Sequence, residues 1–147
     1  MYKLSFRKID VDGFNIFCRE AGPKDAPALL LLHGFPSAGH MFRDLIPQLS
    51  DRFRVIAPDL PGFGQSDMPD RGTFTYTFDN VAGVIDRFTE VIGLDRFAIY
   101  VFDCCPGGEF PVGAKFEKCS GPCNDRRPRS TTWAPMISAT TKKEKRT

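Results

Sequence analysis

Apolar and polar positions run in two rhythms along the first hundred residues. Lys3–Ile9 alternates loosely, with Leu4 and Phe6 on one face. Asp12-Gly13 is a turn signal, and Phe14-Asn15-Ile16-Phe17-Cys18 resumes the strand pattern, so an antiparallel hairpin at a sheet edge is expected. Ala28-Leu29-Leu30-Leu31-Leu32 has no polar position at all. Such a short run fits a strand buried on both faces, as in a parallel sheet covered by helices. Arg54-Val55-Ile56-Ala57 and Phe97–Phe102 read the same way.

Helical rhythm appears twice. Met41, Phe42, Leu45, Ile46 and Leu49 recur at helical spacing, with Pro47 inside the run. Proline cannot donate to residue 43, so the helix is expected to kink or restart there. Phe78, Val81, Ala82, Ile85, Phe88 and Ile92 share one face of a longer helix, opposite Asp79, Asn80, Asp86, Arg87 and Glu90. Thr77 suits its N-cap and Gly93 its C′ position. Strands alternating with helices imply an α/β fold with a mostly parallel sheet. Ligands bind at the carboxyl ends of strands in such sheets. The residues of interest are therefore His33-Gly34-Phe35-Pro36, Asp59-Leu60-Pro61-Gly62 and Asp103.

Composition then divides the chain. Residues 1–103 hold 11 Lys/Arg and 14 Asp/Glu, whereas residues 104–147 hold 9 and 4. Four of the five cysteines (Cys104, Cys105, Cys119 and Cys123) fall in the second stretch, where Phe110, Val112, Phe116 and Ile137 are its only Leu, Ile, Val or Phe residues. The expected organisation is an α/β part over 1–103 and an irregular, disordered, basic Cys/Pro-rich tail over 104–147. The overall charge of +2 gives no pointer to nucleic acid. No apolar run is long enough to span a membrane. The N-terminal MYKLSFRKID has no apolar signal core, and a cytoplasmic location is expected.

The motifs resemble a known family. His33-Gly34-Phe35-Pro36 after an all-Leu strand looks like the oxyanion loop of α/β-hydrolases. Val55-Ile56-Ala57-Pro58-Asp59-Leu60-Pro61-Gly62-Phe63-Gly64-Gln65-Ser66-Asp67 resembles the loop after that family's next strand. Tyr100-Val101-Phe102-Asp103 stands where its nucleophile strand ends. The likeness covers residues 10–103, in the family's order and spacing. An aspartate at the nucleophile position is similar to the epoxide hydrolase and haloalkane dehalogenase branch. The resemblance implies a three-layer fold with Asp103 as nucleophile. The backbone amides of Phe35 and Cys104 would form the oxyanion hole, and Phe35 and Pro36 would contact a small-molecule substrate. Phe35 after His33-Gly34 is closer to the epoxide hydrolases than to dehalogenases, which tend to carry Asn there.

Other residues read more plainly. His33 would shape its loop, His40 would sit at a solvated helix start, and Asp59 and Ser66 would serve turn and loop. No G-x-S-x-G is present, so a serine esterase fragment is a lesser alternative. Gly62-Phe63-Gly64 lacks the third glycine of a dinucleotide loop, and no cofactor is expected.

After Asp103 the family pattern fails. Cys105 and Pro106 occupy places that need small residues, and Pro106–Gly113 opposes any helix. The family's later acid and histidine have no counterpart, so the fold is expected to be incomplete and these 147 residues inactive. Three readings of the tail stay open. One is a frameshifted or truncated product, one a zinc site from Cys104, Cys105, Cys119 and Cys123, and one a natural basic tail meeting an acidic partner. The C-x3-C spacing suits zinc poorly, and no metal is expected. A non-catalytic interaction protein using that tail is the alternative function. Oligomeric state is not legible.

Overall fold

The computed structural model describes residues 3–102 and 138–141. Six strands form one sheet: β1 (Ser5–Val11), β2 (Phe14–Ala21), β3 (Ala28–Leu32), β4 (Arg54–Pro58), β5 (Arg96–Val101) and β6 (Ser138–Thr141), in the order β1-β2-β4-β3-β5-β6. The β1–β2 hairpin is antiparallel and turns at Asp12-Gly13, both at positive φ. It lies at the sheet edge, as expected. The centre is parallel, with β3 pairing β4 on one side and β5 on the other.

Strand β3 is buried at every position, and its side chains part by alternation. Ala28, Leu30 and Leu32 enter one cluster with Ile16, Ile56, Ile85 and Phe88. Leu29 and Leu31 enter the other with Val55, Ala57, Phe42 and Ile46. Helix α2 (Phe78–Val91) supplies the first cluster. The opposite face is covered by a 3-10 turn (Gly39–Phe42) and by helix α1 (Leu45–Leu49). The result is the expected three-layer α/β-hydrolase-type arrangement, its sheet parallel at the centre (β4-β3-β5) and antiparallel toward both edges.

Local signals end the helices where the pattern placed them. The helical run 41–49 breaks after Phe42 and restarts at Leu45, which puts Pro47 in the first turn of α1. A first-turn residue needs no intrahelical donor, so proline is harmless there. Thr77 caps α2 by accepting from the Asn80 N–H at 3.2 Å. Gly93, at φ +70°, closes it with Gly93 N–H to Glu90 O and Leu94 N–H to Thr89 O, the paired bonds of a Schellman end.

Two expectations of burial need correction, at Phe78 and at β5. Phe78 does not join the core face of α2; it is 57% exposed at the first turn, while Val84 and Thr89 are buried instead. Phe6 is likewise exposed, stacked on Phe17 at the hairpin edge. Strand β5 is only half-buried apart from Ile99. Strand β4, equally adjacent to β3 on the other side, is buried at four of its five positions. The outer edge of β5, which the sequence pattern leaves bare, pairs antiparallel with β6. Strand pairing runs through the backbone and needs no apolar rhythm, so the pattern gave no sign of β6. The rest of the 104–147 tail, including Cys104, Cys105, Cys119 and Cys123, lies outside the described residues, as does Asp103. Among the described residues, no helix is long and apolar enough to cross a membrane.

Cutting Leu30 back to Ala removes packing from a fully buried site between β4 and β5. Leu30→Ala is expected to destabilise the fold by about 2–5 kcal/mol, seen as a lower urea midpoint at unchanged slope.

Candidate functional site

Strand order places the site. The chain goes from β3 to β4 on one side and then crosses to β5 on the other, so β3 stands at a switch point. A crevice opens at the carboxyl end of the strand at such a point. His33-Gly34-Phe35-Pro36 leaves β3 there, and the Phe35–Pro36 bond is cis. On the β5 side, the Phe102 N–H bonds to Leu32 O at 3.0 Å. Phe102 therefore lies against the last residue of β3, where His33 and Gly34 begin.

His33 is buried, and both ring nitrogens have partners. Its Nε2 accepts from the Leu60 N–H at 2.9 Å, and its Nδ1 lies 3.1 Å from Gly34 O. Only the neutral tautomer with the proton on Nδ1 satisfies both contacts. Burial holds the imidazole below its ordinary pKa, opposed by the Gly34 carbonyl and Asp59. The ring also meets Phe63 edge-on at 5.5 Å, and Phe63 in turn meets Phe35 edge-on at 6.2 Å. Phe35 itself is 74% exposed. Pro36 follows it in the turn that the Ser37 N–H closes onto Gly34 O at 3.0 Å.

The 59–67 loop is fixed by side chains that the sequence reading treated as minor. The Asp59 carboxylate is fully buried. Its Oδ1 accepts from Gly39 N–H at 2.7 Å and from Arg19 Nη1 at 2.6 Å, and its Oδ2 accepts from Gln65 N–H at 2.9 Å. Ser66 Oγ donates to Asp59 O at 2.6 Å and accepts from Phe17 N–H at 2.9 Å. Asp67 accepts from the Asn15 N–H at 2.8 Å and from its side-chain amide at 2.9 Å; these bonds hold its carboxyl below the usual range. Asp59 and Ser66 are thus structural loop residues, and His33 shapes its turn, as expected. Arg19 is a residue the sequence reading missed. Its signal was a single arginine in strand β2 that pairs with Ala57, two residues before the aspartate that follows β4.

Other groups take no part. His40 is exposed on the 3-10 turn. Cys18 is buried among apolar side chains, which pushes its thiol up to about 12 and leaves it unreactive. Among the described residues, no cluster of His, Cys, Asp or Glu is placed to hold a metal ion. An open groove of about 780 Å³ runs from Phe63 past Met68, Phe74 and Tyr76. The structure brings Phe35, Pro36 and His33 to the carboxyl end of the sheet. The proposed nucleophile Asp103 and second oxyanion donor Cys104 lie outside the described residues.

Comparison with known proteins agrees with this geometry. The sequence profile of the alpha/beta hydrolase fold matches residues 27–104. An uncharacterized hydrolase of Saccharomyces cerevisiae is 42% identical over 112 residues, covering 76% of this chain and 38% of the yeast protein. A haloalkane dehalogenase of Bradyrhizobium diazoefficiens is 39% identical over 92 residues, covering 63% of this chain and 29% of its own length. Among solved structures, an epoxide hydrolase variant from Vigna radiata superposes with a TM-score of 0.63 at 29% identity, over 69% of this chain and 31% of that one. The chain therefore spans less than half the length of these relatives.

The His33 geometry sets a pH dependence. In the unfolded chain the imidazole takes its proton near its ordinary 6.5, while in the fold it does so at lower pH. The unfolded state therefore binds more protons between these values, and stability falls as pH drops through that window. Urea midpoints taken from about pH 7 to about pH 5 should fall more steeply for the parent chain than for His33→Gln.

Proposed function

The chain belongs to the α/β-hydrolase family, and from that premise we propose that it carries the front half of a carboxylate-nucleophile hydrolase site. One observation supports this most directly. The Phe102 N–H to Leu32 O bond at 3.0 Å holds Phe102, the residue before Asp103 in sequence, against the end of β3 from which the His33–Pro36 turn leaves. In this reading Asp103 is the nucleophile. The amides of Phe35 and Cys104 are its oxyanion donors, and Phe35 and Pro36 contact the substrate.

The chemistry follows from a carboxylate next to an apolar ring. A carboxylate oxygen of Asp103 bonds to an electrophilic carbon as that carbon's bond to a halogen or epoxide oxygen breaks. The halide leaves with the bonding pair, or the opened alkoxide takes a proton from water. The product is an alkyl ester on Asp103. The phenyl ring of Phe35 cannot donate a hydrogen bond to a departing halide, whereas an epoxide keeps its oxygen attached and needs no halide pocket. This favours the epoxide over the carbon–halogen bond. The likeness to both an epoxide hydrolase and a haloalkane dehalogenase fits an electrophile of this general kind.

Completing the cycle requires a base that activates water against the ester. His33 is committed to Leu60 and Gly34, and His40 is exposed on the 3-10 turn. These 147 residues therefore alkylate once and do not turn over. Incubation with styrene oxide should add one adduct mass to the chain, mapped to Asp103 by peptide mass spectrometry. The adduct should be absent from Asp103→Asn and should form more slowly with a 1-chloroalkane. An unlabelled parent chain would overturn the nucleophile assignment. Continuous release of diol would overturn the single-turnover reading.

A further inference from the structure

The turn that carries Phe35 is tied down at both ends, and both ties lead to one dipeptide. At its start, His33 Nε2 holds the Leu60 N–H at 2.9 Å. At its end, the Gly39 N–H reaches Asp59 Oδ1 at 2.7 Å. Between them Gly34, Phe35, Pro36, Ser37 and Ala38 close on themselves through Ser37 N–H to Gly34 O.

Asp59 gathers donors from three separate segments: Arg19 from β2, Gly39 from the end of the turn and Gln65 from its own loop. Backbone is shaped to let it in. A Cβ on Gly64, which sits at φ +56°, would lie 2.1 Å from Asp59 Oδ2. A Cβ on Gly39 would lie 2.9 Å from Asp59 Oδ1 and equally close to Arg19 Nη1. A buried ion pair adds little net stability over apolar side chains of the same volume. An apolar residue fills space, but it cannot fix three N–H groups at set distances. What the carboxylate supplies is direction.

We propose that Asp59 is a positioning residue for the Phe35 amide. By holding Gly39 while the adjacent Leu60 holds His33, it fixes the span of the 34–38 turn beside the carboxyl end of β5. The assignment rests on reading the Phe35 amide as an oxyanion donor, and it adds the group that sets that amide in place.

The test separates the acceptor from the charge. Arg19→Met/Asp59→Asn keeps an oxygen for the Gly39 N–H and leaves no unpaired buried charge. Arg19→Met/Asp59→Leu keeps the volume and removes the acceptor. Amide hydrogen exchange is followed by NMR on the 147-residue chain at Phe35, Ser37 and Gly39, alongside urea stability. The Leu variant should exchange about tenfold faster at these amides than the Asn variant, while amides of β3 and β4 stay protected in both. Equal exchange in the two variants would overturn the proposal. Should neither fold, Gly64→Ala displaces the carboxylate without removing it. Acceleration confined to residues 34–39 then supports the role, and unchanged or uniformly raised exchange overturns it. A chemical readout accompanies these. The Asp103 ester formed with styrene oxide is cleaved by hydroxylamine, and cleavage should be about tenfold slower in the Leu variant than in the Asn variant. Equal cleavage rates would count against positioning. Failure of the parent chain to form an adduct would sink the nucleophile reading instead, and the exchange comparison would then decide the role of Asp59 alone.

Discussion

Five consecutive apolar residues in β3 constrain nearly everything else in the fold. With Leu30 and Leu32 pointing one way and Leu29 and Leu31 the other, neither face of the sheet can be left to water. One helical layer must lie on each side, and the chain provides them in sequence: the 3-10 turn and α1 before β4, then α2 before β5. Placing successive crossovers on opposite faces takes β4 and β5 to opposite sides of β3. The crevice at the end of β3 follows from that crossing. Burial of a leucine run thus decides where the polar residues that follow it can meet.

Those polar residues are held by hydrogen bonds that a dry interior makes obligatory. Asp59 directly follows the buried strand β4 and cannot reach water, so its carboxylate must be met by donors. The donors come from segments far apart in sequence, and each bond fixes one of them. Ser66 repeats the device on a smaller scale, bonding β2 through the Phe17 N–H and the loop through Asp59 O. Asp67 and Asn15 add a third tie between the same two segments. No buried side-chain nitrogen or oxygen among the described residues lacks a partner. The site's geometry is therefore set by satisfied polar groups laid over an apolar sheet, and less by packing around Phe35, which is exposed.

How much of this was legible beforehand varied with the kind of signal. The hairpin, the doubly buried strand, the proline restart and both ends of α2 follow from local patterns, because each depends on residues adjacent in sequence. Burial at the margins was not legible in this way. Phe78 has the right spacing for the core face of α2, yet it is the helix's first residue and is left exposed. Strand β5 has the composition of a central strand and is half-exposed. Strand β6, Ser-Ala-Thr-Thr, has no apolar rhythm, and backbone pairing does not require one. At the site, the family motif singled out His33, Phe35 and Pro36, which directly follow β3 at its carboxyl end. It gave no weight to Arg19, whose role depends on a partner 40 residues away.

The same arrangement limits what these residues can do chemically. A group that transfers protons needs a free lone pair or a proton to give, and a pKa near the working pH. His33 has its single lone pair taken by the Leu60 N–H, and burial disfavours its charged form. Asp59 has both oxygens turned toward N–H groups. The Cys18 thiol is held protonated. His33 and Asp59 are both already used to hold backbone in place. The described half of the site is therefore electrostatic scaffolding: it can orient amides toward a developing negative charge, and its own ionisable groups stay out of the proton transfer. In the proposed reading, bond-making falls to Asp103. That division explains why the scaffold can be complete, with every polar contact satisfied, while the catalytic cycle proposed for it is not.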